Sequence, residues 1–221
     1  MVFIKICGIT SEEDALLAVA MGADAVGFVF APSSRQLAPQ RAGDIARRLP
    51  PHVLTVGVFR DERPERVARI VNTAGLRAAQ LHGRESARDS QWVAERVPVT
   101  IKAFAAGDPS VADAFDHGVD MVMVDGRSPG SGQVFDWSLA EGVPDGIRLL
   151  LAGGLTADNV VEAIGAVHPF GVDVSTGVER SPGHKDPTKV RRFIGQARST
   201  ETEPYEGDDL PPYDWADDDG Y

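Results

Sequence analysis

The sequence predicts a single (β/α)8 barrel, the TIM architecture of the α/β class, followed by an acidic C-terminal tail. Three observations point there. Eight short β-rich runs recur at intervals of about 20–30 residues: Phe3–Ile6, Asp24–Phe30, Val53–Phe59, Arg77–Leu81, Val99–Phe104, Val119–Val124, Ile147–Ala152 and Gly171–Ser175. Each interval holds one strand, one helix and two short loops, and such alternation predicts a parallel sheet. Eight units in about 198 residues also match the small end of the closed-barrel size range. An open doubly wound sheet shares the alternation, but no GxGxxG follows the first run.

The elements follow in order. Thr10 with Glu13 reads as a capping box before a helix over Ala15–Met21. Pro39, Pro64, Pro109 and Pro187 each stand where a first helical turn should begin, with Asp108 and Asp186 as N-caps for the last two. Side chains alternate along a strand, so parity sorts interior from exterior. In the first run Val2, Ile4 and Ile6 suit a helix-facing layer, which leaves Phe3, Lys5 and Cys7 toward the barrel axis. The fourth run groups Ala78, Gln80 and His82 on one side, and the fifth puts Lys102 inward by the same logic. In the sixth, Val122 and Val124 go outward and Met121, Met123 and Asp125 inward. After the seventh come Gly153 and Gly154, then Thr156 opening a helix over Ala157–Ile164. The eighth turns Gly171, Asp173 and Ser175 inward. Runs one and eight are neighbours in a closed barrel, so Lys5 and Asp173 are expected within ion-pair reach, a pairing that offsets the cost of burying both charges.

Composition narrows the function classes. The chain is 43% hydrophobic and 25% charged, the balance of a globular protein with a real core. No run approaches the roughly 18–20 apolar residues of a membrane span, and the N-terminus does not read as a secretory signal. A single cysteine excludes an intramolecular disulfide and a cysteine-based zinc site, so the cytoplasm is the expected compartment. The net charge is −11, but Ser199–Tyr221 holds nine of the 33 acids and no Lys or Arg. That leaves 24 acids against 22 bases in residues 1–198, and no basic stripe suited to nucleic acid. The division expected is a barrel domain over 1–198 and a tail over 199–221. The tail is acidic and proline-punctuated, lacks either period, and is by default disordered. It carries all three tyrosines and Trp215.

Chemistry gathers at the C-terminal ends of the strands, the rim that carries the active site in barrel enzymes. Cys7 ends the first run, two residues from Lys5, whose ammonium favours the thiolate, the form that accepts a proton. Asp125 ends the sixth run. Its carboxyl, beside Met123 and with Phe135 nearby in sequence, can be raised in pKa and act as a general acid. Gly153-Gly154 after the seventh run and Ser175-Thr176-Gly177 after the eighth suit a phosphate, because exposed backbone N–H groups on glycine turns bind anions and this fold grips phosphate there. The residues alone support a barrel enzyme that moves protons on a small phosphorylated substrate.

Several motifs carry a more specific resemblance. KICGIT at Lys5–Thr10, ADAVGFVF at Ala23–Phe30, QLHG at Gln80–Gly83, SGQVFDW at Ser131–Trp137, LAGGL at Leu151–Leu155 and GVDVSTGVE at Gly171–Glu179 together resemble the phosphoribosylanthranilate isomerase family of tryptophan biosynthesis, from about residue 2 to 197. The resemblance implies an Amadori rearrangement of N-(5'-phosphoribosyl)anthranilate to 1-(2-carboxyphenylamino)-1-deoxyribulose 5-phosphate. It gives Cys7 the role of base and Asp125 that of acid. Arg35 becomes the partner of the anthranilate carboxylate. Gly153, Gly154, Ser175, Thr176 and Gly177 form the phosphate grip, and Gln80, His82 and Asp173 line the pocket. It implies no metal and no cofactor, and a monomer or homodimer. The loops Pro32–Leu37 and Gly126–Gln133 read short against that family, and Thr176 stands where serine is common.

Three other readings are weaker. The related barrel isomerase of histidine biosynthesis, or its dual-substrate form, would put aspartate in place of Cys7 and carry a second phosphate grip. Ribulose-phosphate epimerase would want metal-binding histidines on several strands, whereas His52, His117, His168 and His184 fall in loops or at helix ends. A non-catalytic barrel working through its acidic tail would have no use for the acid, base and phosphate loops together.

Overall fold

The structure, a computed structural model, describes residues 2–126, 137 and 142–200. The tail from Glu201 onward, Phe135, and the Gly126–Gln133 loop beyond Gly126 lie outside the described residues. The chain alternates β1 (Phe3–Cys7), α1 (Glu12–Ala20), β2 (Ala25–Val29), α2 (Pro39–Ala46), β3 (Leu54–Phe59), α3 (Pro64–Ala74), β4 (Ala78–Leu81), α4 (Ala87–Ala94) and β5 (Val99–Ala105). A 3₁₀ segment, Pro109–His117, leads to β6 (Met121–Asp125), followed by β7 (Arg148–Leu151), α5 (Val160–Val167) and β8 (Gly171–Val174). A short 3₁₀ turn, Thr176–Val178, and a hairpin of β9 (Glu179–Ser181) and β10 (His184–Lys185) precede α6 (Pro187–Arg198).

Strands β1 to β8 close in sequence order into one parallel barrel, with β8 beside β1. Two apolar cores result. Phe3, Ala25, Leu54, Val56, Ala78, Ile101, Met121, Met123 and Leu150 fill the interior, while Ile4, Ile6, Val26, Phe28, Val122, Val124 and Val172 pack outward against the helices. The parities expected for the first, fourth, sixth and eighth runs match this division.

The fifth does not. Val99, Ile101 and Ala103 occupy the interior, so Lys102 points away from the axis with Phe104, the opposite of the expectation. Its Nζ is satisfied outside the barrel, 2.8 Å from Glu85 Oε2 and 2.8 Å from the Gly83 carbonyl. Three interior apolar side chains outweigh one lysine that can be paired from the other face.

Helix starts follow local chemistry. Proline occupies the first turn of α2, α3, α6 and the Pro109 segment, and Asp108 and Asp186 cap the last two by accepting N–H bonds from Ser110 and from Thr188 and Lys189. At α1 the cap is Ser11, which accepts from the Asp14 N–H, in place of the expected Thr10–Glu13 box. Thr10 instead donates its hydroxyl to the Gly183 carbonyl on the β9–β10 hairpin. α5 begins at Val160 rather than Ala157, because Thr156 and Asn159 close a turn in which Asn159 Oδ1 accepts from the Thr156 N–H and Nδ2 donates to the Gly154 carbonyl. At the opposite end of the barrel, Asp24 accepts from the Ile4 N–H and from Arg198, tying β1 and β2 to the last helix. No helix among the described residues is long and apolar enough to cross a membrane.

Candidate active site

The C-terminal rim of the barrel brings the polar interior residues together. Lys5 and Asp173 are register partners across β1 and β8, and Lys5 Nζ donates to Asp173 Oδ1 at 2.7 Å. Lys5 is fully buried. Burial works against its charge, yet Asp173 and Cys7 outweigh that effect and hold its pKa above the ordinary lysine value.

Cys7 sits one pleat further toward the rim, 7% exposed. Its register partner on β2 is Gly27, and a Cβ there would come within 2.8 Å of Cys7 Sγ and 3.0 Å of Lys5 Nζ. Glycine at this position is what admits both side chains. Burial raises the Cys7 thiol pKa above its usual value, with Asp173 adding to the rise. Lys5 and Lys185 pull it down without overcoming burial. The expected thiolate-favouring effect of Lys5 is therefore present but smaller than the desolvation of the sulfur.

Asp125 ends β6, nearly buried at 8% exposure. Its Oδ1 accepts from the Gly126 N–H at 2.8 Å, and His82 Nε2 lies 3.2 Å from Oδ2 without the alignment of a hydrogen bond. Gln80 Nε2 donates to His82 Nδ1 at 2.7 Å, which leaves the imidazole proton on Nε2, on the Asp125 side. Gln80 also touches Met123 Sδ, so Gln80, His82 and Asp125 form one contiguous group across β4 and β6.

Among the described residues, Asp125 borders two cavities. One, of about 520 Å³, opens over β3 to β6 and includes His82, Phe104 and Gly126 in its wall. The other, of about 50 Å³, is formed by Asp125, Gly153, Gly154, Asp173, Ser175, Thr176 and Gly177. The second cavity joins the carboxyl to the glycine loops after β7 and β8. Gly153 and Gly154 have φ of 93° and 68°. The two loops are locked together at Gly177, where a Cβ would lie 1.9 Å from the Leu155 carbonyl oxygen.

Arg35, in the loop after β2, reaches over Gly8 next to Cys7, its Cδ 2.6 Å from where a Gly8 Cβ would stand. Its Nε and Nη2 both donate to Glu179, each at 2.7 Å, and Nη2 also approaches Thr176 Oγ1 at 3.4 Å. A planar fork on a carboxylate is the strong bidentate form of this pairing. Arg35 is therefore a rim residue rather than a solvated loop charge.

Sequence reasoning singled out neither Glu179 nor Lys185. Glu179 is buried, accepts from Arg35, and is paired with Lys185 Nζ at 3.1 Å. Lys185, also buried, donates to the carbonyls of Cys7 at 2.6 Å and Ser175 at 3.2 Å. Glu179 closes the GVDVSTGVE motif, two residues beyond the Gly177 turn, but nothing in the motif marks its side chain as a partner of Arg35, and Lys185 sits in a stretch, RSPGHK, that reads as an ordinary loop.

Comparison with known proteins shows what the chain as a whole is similar to. A family model described as N-(5'-phosphoribosyl)anthranilate isomerase matches residues 4–196. A relative from Desulforudis audaxviator, named N-(5'-phosphoribosyl)anthranilate isomerase, is 51% identical over 205 residues, covering 90% of this chain and 98% of its own length. A crystal structure of phosphoribosyl anthranilate isomerase from Thermotoga maritima superposes with a TM-score of 0.82 at 43% identity, covering 90% of this chain and 99% of that one. A structure of such an isomerase in complex with reduced 1-(o-carboxyphenylamino)-1-deoxyribulose 5-phosphate superposes with a TM-score of 0.79 at 41% identity, covering 90% and 99%.

Proposed function

This chain belongs to the N-(5'-phosphoribosyl)anthranilate isomerase family, a family of aldose–ketose isomerases, and on that premise we propose that Cys7 and Asp125 carry the two proton transfers of its reaction. The reaction converts N-(5'-phosphoribosyl)anthranilate to 1-(2-carboxyphenylamino)-1-deoxyribulose 5-phosphate and serves tryptophan biosynthesis. Asp125 protonates the ribose ring oxygen as the C1–O bond breaks, giving a protonated imine. That imine acidifies the hydrogen on C2, and Cys7 removes it. The enolamine so formed tautomerises to the ketone product.

The observation that carries this assignment is the small cavity in which Asp125 shares a wall with both glycine loops. A phosphate held on the N–H groups of those loops brings the sugar it belongs to alongside the carboxyl. Cys7 lies on the neighbouring strand β1, beside Lys5 and under Arg35. Lys5, kept cationic by Asp173, supplies a counter-charge as the buried thiol gives way to thiolate. Arg35 takes the anthranilate carboxylate on the guanidinium edge that Glu179 leaves open. Gln80 and His82 line the mouth on the Asp125 side. The substrate is a soluble phosphorylated metabolite, and the enzyme acts in the cytoplasm as a monomer or homodimer with no metal or cofactor.

The test is direct. Anthranilate, phosphoribosyl pyrophosphate and anthranilate phosphoribosyltransferase generate the fluorescent substrate in the cuvette, and adding this protein should abolish the fluorescence at a catalytic rate. Cys7→Ala and Asp125→Asn should each remove that activity. Turnover in either variant at the rate of the unmodified protein overturns the role given to that residue.

A further inference from the structure

The chain does not run directly from β8 into α6. It first makes the β9–β10 hairpin, in which Glu179 and Lys185 are register partners and both are buried. Burying a charged pair costs desolvation that a pair of apolar residues would not, so its retention calls for a use beyond stability. Among the described residues, every remaining side-chain bond of this pair is spent on the rim. Lys185 Nζ has three protons, and it directs them to Glu179 Oε1, the Cys7 carbonyl and the Ser175 carbonyl. The two oxygens of Glu179 hold Nε and Nη2 of Arg35. One ion pair thus touches the end of the strand bearing the sulfur, the start of the phosphate loop, and the arginine.

We propose that Glu179 and Lys185 are positioning residues for the isomerisation, fixing the placement of Cys7, the Ser175–Gly177 loop and Arg35 relative to one another. The proposal rests on the reading of Cys7 as base and Arg35 as carboxylate partner. The division of labour follows from the contacts. Glu179 acts on binding: with Nε and one face of Nη2 engaged, the guanidinium presents its Nη1 end to the substrate in a fixed orientation. A guanidinium released from Glu179 is free to swing onto the neighbouring sulfur instead. Lys185 acts on the chemical step, because the Cys7 carbonyl it holds belongs to the residue that must stay within reach of C2, where small misplacements are costly. The hairpin is itself anchored, with the Lys185 N–H donating to Asp14 Oδ2 in α1 and Thr10, just before that helix, donating to the Gly183 carbonyl, so the pair is tied to the start of α1 as well as to the rim.

The experiment is steady-state kinetics on the full chain with enzymatically generated substrate. Glu179→Gln should raise KM by about tenfold or more while kcat changes by less than about threefold, the pattern of lost binding. Lys185→Met should lower kcat by about tenfold or more. If Glu179 acts through Arg35, the double variant Arg35→Ala/Glu179→Gln should show no higher KM than Arg35→Ala alone. Independent, multiplying effects overturn the proposal, as do kcat and KM values of the unmodified protein in folded Glu179→Gln and Lys185→Met. Should either variant fail to fold, Glu179→Asp and Lys185→Arg keep the charges but move them, and the same splits between KM and kcat are read there. Cys7→Ala and Arg35→Ala run in parallel separate the two levels. If they retain full activity the underlying reading fails; if they are impaired while the pair variants are not, only the positioning role fails.

Discussion

Lys5 Nζ and Asp173 Oδ1 meet 2.7 Å apart inside the barrel, across the β1–β8 seam, with the lysine wholly out of solvent. Breaking one side of such a pair strands the other charge in the interior. Lys5→Met should therefore lower unfolding free energy by about 3–5 kcal/mol in urea titrations at neutral pH. The pH dependence has a definite sign. Lys5 is held above its ordinary value of 10.5, so its stabilisation is complete below that pH and is lost as pH rises through the higher folded value. Stability of the unmodified protein should fall on the alkaline side, and that part of the fall should be absent in Lys5→Met.

The sulfur beside this pair gives a second expectation. Burial holds the Cys7 thiol above its ordinary pKa of 9.0 despite Lys5 and Lys185, so the resting residue is a neutral thiol at neutral pH. Alkylation by iodoacetamide should be slow near pH 7 and still climbing above pH 9. Product should protect, since Cys7 ends β1 beside Lys5, with Arg35 reaching over the adjacent Gly8. A rate that levels off well below pH 9, or one indifferent to product, contradicts the placement of this thiol.

Much of this was legible in the residues, and the failures have physical reasons. The first run alternates cleanly, with Val2, Ile4 and Ile6 on one parity, so Lys5 and Cys7 could be assigned to the interior and the Asp173 pairing anticipated. In the fifth run, VTIKAFA, Val99, Ile101 and Ala103 share one parity and Lys102 the other, and alternation alone does not say which parity faces the barrel axis. The rule that sends the apolar parity to the helices fails for Lys102 for that reason. Its partner Glu85 lies in a different loop, invisible to strand-by-strand reading. The place of Arg35 in the loop after β2 is legible, but the carboxylate that holds it is not, because Glu179 lies 144 residues away and belongs to a hairpin with no periodic signal. The sulfur's titration was misjudged because proximity to a cation can be read from spacing, whereas desolvation depends on everything packed around the atom.

The contact between the two phosphate loops yields a test of the cradle. A Cβ on Gly177 would stand 1.9 Å from the backbone oxygen of Leu155, an overlap only backbone movement can relieve. Gly177→Ala should push the loops after β7 and β8 apart and weaken their hold on a phosphate. Inhibition by inorganic phosphate should become about tenfold weaker, with KM rising in parallel, at a stability cost of about 1–3 kcal/mol. Unchanged phosphate inhibition in a folded variant removes these loops from the anion site.

Asp125→Asn isolates the acid, because the surroundings can absorb the change without unfolding. Asn Oδ1 can still accept from the Gly126 N–H. The new Nδ2 donor would face His82 Nε2, which carries a proton while Gln80 Nε2 donates to Nδ1. Turning over the Gln80 amide resolves the conflict, since its Oε1 has no partner among the described residues and can accept an Nδ1 proton, freeing Nε2 to accept. Stability should accordingly stay within about 1 kcal/mol of the unmodified protein. Turnover should nonetheless fall by about 10²–10⁴-fold, the usual cost of removing a positioned acid. The lost step is protonation of the ring oxygen, so KM should move far less than kcat. A variant that folds normally and turns over at the unmodified rate would show that the ring opens without this carboxyl.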